Sequence, residues 1–128
     1  MKLGELRKFV EKYYTERLFG KSVVNQDKGI RVFFGGLGRS KMAQGGAVYF
    51  KKMVTVKILK EIVKYAEYSN FGERKNSDPK EAVGYFNFKA KVFIDGQLEH
   101  VRVAIRIDTK GRFIYEFPYK NIEVNKKK

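Results

Sequence analysis

VFIDGQLEHVRVAIRIDTKGRFIYEF, residues 92–117, decides the fold. Asp95-Gly96 interrupts two runs in which apolar and polar residues alternate. An Asp-Gly pair between alternating runs is the signal of a two-residue type I′ hairpin turn, because both central positions need positive φ. Val101, Val103, Ile105 and Ile107 share one face of the return strand. Thr109-Lys110-Gly111 fits a three-residue turn with glycine in the left-handed position. Phe113, Tyr115 and Phe117 then fall on the inner face of a further strand, which Pro118 closes.

The same alternation extends upstream. Phe86, Phe88, Ala90, Val92 and Ile94 alternate with Tyr85, Asn87, Lys89, Lys91 and Phe93, which predicts a strand with one buried face. Ile30-Arg31-Val32-Phe33-Phe34 is a shorter strand, rich in β-branched and aromatic residues. Two stretches have helical spacing instead. Leu3, Leu6, Phe9, Val10, Tyr13, Tyr14 and Leu18 form one stripe, with Gly20 as a stop. Val54, Ile58, Leu59, Ile62, Val63 and Ala66 form another, over 53–68. Residues 21–29 and 69–80 are polar and read as connectors. The expected order is α-β-α-β-β-β. This is an α+β fold, with two main helices packed on a small four-stranded antiparallel sheet.

The chain has 128 residues, which suits one domain, expected over 1–124 and followed by a basic tail at 125–128. With 43% hydrophobic residues it can bury a core. There is no cysteine and one histidine, His100. Disulfides, thiolate metal sites and paired-histidine sites are therefore excluded, and no metal or other cofactor is expected. Nothing approaches the roughly 18 apolar residues of a membrane span, and charges interrupt the N-terminus where a signal peptide needs an apolar core. The expectation is a soluble cytoplasmic protein with no membrane partner. Twenty-eight Lys and Arg against 14 Asp and Glu give a net charge of +14, so RNA or another polyanion is the first partner to consider.

The hairpin register locates that charge. If Ile94 faces Gln97, then Lys91 faces His100, Lys89 faces Arg102, and Tyr85 faces Arg106, all on the outer face. Like charges set opposite each other cost a few tenths of a kcal/mol, which a bound anion relieves. Tyr85 adds a ring on which a base can stack. A solvated strand face in a basic protein also carries such residues with no ligand at all. A second candidate is Gly35-Gly36-Leu37-Gly38-Arg39-Ser40-Lys41, whose backbone amides, with Arg39, Ser40 and Lys41, offer a phosphate cradle. It does not match the P-loop pattern.

A strand, a Gly/Arg/Ser/Lys turn, an apolar helix and then the run from Val92 to Tyr115 together resemble the phage-associated nuclease-like domains of the barnase, EndoU, colicin and RelE class. These domains occur in large polyvalent proteins of phages and mobile elements. The resemblance spans about residues 28–117. It implies a helix-plus-sheet nuclease core and metal-independent cleavage of RNA at an internal phosphodiester in a host cell. Lys41 matches the basic residue that follows the first strand in such domains. Gly84-Tyr85-Phe86-Asn87 stands where they carry a histidine.

Such cleavage needs a base for the 2′-hydroxyl, cations for the phosphorane and an acid for the leaving 5′-oxygen. His100 is the one side chain of the type that exchanges protons near neutrality. With Arg102, Arg106 and Tyr85 it forms the candidate catalytic set. Lys89, Lys91, Arg39, Ser40 and Lys41 are the candidate nucleic-acid contacts. The alternative is a non-catalytic phage inhibitor of a host defence complex, gripping protein or RNA through the basic face. The oligomeric state is left open.

Overall fold

Strands β4 (Ala82–Ile94) and β5 (Gln97–Asp108) form the long hairpin on which the rest is built. Ile94 pairs with Gln97, Lys91 with His100, Lys89 with Arg102 and Tyr85 with Arg106, in the register the Asp-Gly turn predicts. Gly96 takes φ +80° and Gly111, in the next turn, φ +79°, a backbone region that costs other residues a steric penalty. The computed structural model describes residues 3–37, 55–74, 82–94, 96–117 and 122–125. Arg39, Ser40, Lys41 and Asp95 lie outside the described residues.

The remaining elements are α1 (Leu3–Arg17), β1 (Ser22–Val24), β2 (Arg31–Leu37), α2 (Leu59–Tyr65), β3 (Glu67–Glu73), β6 (Phe113–Phe117) and β7 (Ile122–Asn125). Six strands run in the order β1-β2-β6-β5-β4-β3, and β7 joins β5 off that path. The two helices on a four-stranded antiparallel sheet are therefore not the fold. The chain is mostly sheet, of mixed sense, curled into a half-barrel with few short helices.

Each departure has a physical source. Strand β6 lies parallel to β2, with Val32 opposite Phe113 and Phe34 opposite Tyr115, and a period of two does not encode strand direction. Strand β3 is an edge strand exposed along most of its length, with a bulge between Tyr68 and Asn70. Without a continuous buried face it has no alternation to read. Strand β1 has three residues, and β7 pairs with β5 at 100–103 beside β6, which pairs at Arg106 and Ile107. The expected second helix shortens to α2 because Ala66 turns extended, with ψ 144°, and the chain enters β3.

The core fills the hollow of the sheet. Helix α1 contributes Leu6, Val10 and Tyr14, Leu18 follows just past its end, and α2 contributes Leu59, Ile62 and Val63. They meet Val32, Phe34, Phe88, Val101, Val103, Ile105 and Tyr115 from the strands. The Tyr14 hydroxyl donates to the Gly35 carbonyl oxygen at 2.7 Å, tying α1 to β2. Residues 25–28 clasp the end of α2. The Asn25 side-chain amide donates to the Val63 and Ala66 carbonyls at 2.8 and 3.0 Å, and the Gln26 amide donates to Lys64.

Asp108 closes the turn between β5 and β6. Its carboxylate accepts from the backbone amides of Arg112 and Lys110 and from the Arg112 guanidinium at 2.7 Å. The Arg112 amide above all, then its guanidinium and the Lys110 amide, hold the carboxyl below its ordinary 3.8 against the opposing effect of burial. A carboxyl depressed on folding stabilises the protein above its unfolded pKa, and that stability is lost as pH falls through the folded value. Asp108→Asn is thus expected to lower Tm at neutral pH, with a penalty that shrinks as pH falls below the ordinary carboxyl value of 3.8. A pH-independent difference between the two melting curves would contradict this.

Candidate nucleic-acid interface

Pairing between β3 and β4 ends at Glu67 opposite Lys89. Among the described residues, no strand pairs with Ala90–Ile94 on that side. There α2 packs near the strand, and a groove of about 650 Å³ opens between them. Its apolar walls are Ile58 and Ile62 on one side and Ala90 and Val92 on the other. Its polar groups are Lys89, Lys91, His100, Glu61 and Glu67, and Tyr65, 62% exposed, stands at its border.

Three of the expected site residues, Lys89, Lys91 and His100, therefore share one groove. Their positions follow from the hairpin alternation, which turns 89, 91, 100 and 102 outward, all of them exposed. Arg102 stands on the rung of Lys89. Tyr85 and Arg106 pair three rungs from Lys91 and His100. Six residues of strand span about 20 Å, beyond the combined reach of His100 and Arg106 to a single phosphate. The structure thus splits the expected set into a groove group and a distant pair, and Tyr85 is only partly exposed.

The outer face is also less uniformly basic than the hairpin alone implies. Across the sheet, the rung of Lys89 and Arg102 reads Glu67, Lys89, Arg102, Glu123, because β3 and β7 flank the hairpin. Glu67 thus sets a carboxylate beside the like-charge pair on the exposed face. Glu61 and Glu67 were missed as site residues. Glu61 looks like part of the solvated face of a helix, and Glu67 is placed by a bulged edge strand with no sequence signature. The one available signal was that both are carboxylates near a run of lysines.

The next rung beyond Lys91 and His100 pairs Phe93 with Leu98, 73% and 44% exposed. At the opposite end of β4, on its inner face, Lys28 lies 4.2 Å from the Tyr68 ring centre and 4.8 Å from that of Phe86. Phe86 in turn stacks on Phe113 at 5.7 Å. This cation and ring cluster contributes no residue to the groove.

Among the described residues, no helix is long and apolar enough to cross a membrane, and no group of three His, Cys, Asp or Glu is placed to hold a metal ion. No curated protein and no solved structure matches the chain. The model of one family, large polyvalent protein-associated domain 3, matches residues 1–115. That match bears on the polyvalent-protein part of the resemblance and carries nothing about a nuclease. Covering nearly the whole length, it shows that the chain belongs to the large polyvalent protein-associated domain 3 family, a phage-associated class.

Proposed function

We propose that this domain binds single-stranded RNA along the groove and the outer face of the hairpin, and that it cleaves the bound strand without a metal. The observation that carries the reading is the meeting of Lys89, Lys91 and His100 with Glu61 and Glu67 in one groove. Glu67 and His100 sit two strands and one rung apart, about 12 Å between backbones by strand geometry. That separation lets the two side chains straddle a phosphodiester, with Lys89 and Lys91 between them for its oxygens.

In this reading the Glu67 carboxylate takes the 2′-hydroxyl proton as that oxygen attacks the adjacent phosphorus. The bond from phosphorus to the 5′-oxygen breaks, and His100 gives its proton to the leaving oxygen. The products are a cyclic phosphate and a free 5′-hydroxyl. Both lysines neutralise the charge that grows on the non-bridging oxygens.

Incubating the protein with labelled single-stranded RNA in EDTA, across a salt series, tests both halves. Cleavage in EDTA with a cyclic-phosphate end supports the full reading. Binding without cleavage overturns the catalytic half. Absence of binding overturns both, and the basic face then meets an acidic protein, as in the inhibitor alternative. Each phosphate contact contributes about 0.7 to the slope of log K against log salt for single strands. Changing Lys89 and Arg102 together to Gln is expected to lower that slope by about 1.4 with the fold intact. An unaltered slope would move the phosphate contacts to another surface.

A further inference from the structure

Phe93 is the most exposed large hydrophobic residue among those described, at 73%, and its register partner Leu98 is 44% exposed. The pair lies on the outer face at the hairpin tip, one rung beyond Lys91 and His100 and two beyond Lys89 and Arg102. Packing within the described fold does not account for it: Phe88 and Ile94 are buried on the inner face of β4, and of its large apolar residues only Val83, at the far end of the strand, is exposed as well. A lone exposed apolar residue needs no explanation. An exposed ring paired with an exposed leucine, in line with two basic rungs, has a specific chemical fit.

We infer that Phe93, backed by Leu98, is the platform on which an unpaired base of the bound RNA stacks. The inference rests on the RNA-binding reading above. Same-face positions along a strand repeat every 6–7 Å or so. An extended nucleic-acid strand can therefore lay one phosphate against the Lys91 rung and the next against the Lys89 rung while a base turns onto Phe93. Single-stranded sites combine a basic track with rings in this way because every base has a π-face. A duplex offers no unstacked base, so the platform selects unpaired RNA. The stacking role expected of Tyr85 passes to Phe93, because Tyr85 is only partly exposed and lies two rungs from Lys89, its nearest groove residue, while Phe93 is one rung from Lys91.

Fluorescence anisotropy with a labelled single-stranded oligonucleotide, and with the same strand annealed into a duplex, tests this on the full chain. Phe93→Ala is expected to weaken single-strand binding roughly 5- to 150-fold. Tm and the salt slope should be unchanged, because a ring contacts no phosphate. Phe93→Trp should retain the affinity, which excludes a general defect of the hairpin tip. Wild-type affinity in Phe93→Ala, or an equal loss for single strand and duplex, would overturn the platform while leaving the RNA-binding reading in place. Absence of RNA binding by the wild type overturns both. Vesicles rich in phosphatidylserine form the last arm. If they bind the wild type and lose Phe93→Ala while RNA binding is unaffected, the tip is a membrane contact and the inference falls.

Discussion

Phe88→Ala is expected to destabilise the protein by about 3–5 kcal/mol, the range for deleting a buried aromatic ring. Phe88 is 2% exposed and lies at the middle of β4, opposite Val103, itself 1% exposed. Its ring meets that of Tyr68 edge-on at 5.7 Å, so it also joins the edge strand β3 to the core. The cavity would open among Val101, Val103 and Ile105, which are fixed by the longest pairing in the sheet and cannot collapse inward freely. Against a total stability of about 5–15 kcal/mol, this is a large share. The Tm should fall on the order of 15 °C. A loss below about 1 kcal/mol in chemical denaturation would show that the inner face of the hairpin is not the core.

That residue also shows what was legible in the sequence. Alternation and the Asp-Gly turn together specify the β4–β5 register residue by residue, because a slip of one position would turn every apolar side chain outward. From this followed the outward set of Lys89, Lys91, His100 and Arg102. The partners of the hairpin were not legible. Strand β3 half-buries Tyr68 but leaves Phe71 exposed on a bulged edge, and such a strand carries no period. Strand β7 ends on the first residue of an apparent lysine tail. Since β3 brings Glu67 to the basic rung, the charge pattern of the outer face could not be read from the hairpin alone. The groove arises the same way. It exists where β3 stops short and α2 packs near the uncovered edge of β4, a consequence of tertiary placement with no local signature.

What holds α2 there is Asn25, and its replacement is the second large effect expected. A helix leaves its last carbonyls without intrahelical donors. Here the buried Asn25 amide serves two of them, Val63 and Ala66, while its side-chain oxygen accepts from the Lys28 amide at 2.7 Å. Asn25→Ala would strand two carbonyls in the core and remove the acceptor that shapes the turn into Gly29, which has φ +71°. Each buried polar group left unsatisfied costs about 1–3 kcal/mol, and the expected loss is about 2–4 kcal/mol. Asn25→Asp keeps the size and the oxygen facing Lys28 but turns a second oxygen toward the two carbonyls. It should therefore restore none of the loss at neutral pH, and a stable aspartate variant would refute the clasp. The helix so held supplies Glu61, Ile62 and Tyr65 to the groove, and Ile58 precedes it. Loosening it should also weaken RNA binding at temperatures where the sheet is still folded. In hydrogen exchange the amides of 62–65 should lose protection before those of 101–105, because the clasp anchors the helix end and the hairpin ladder does not depend on it.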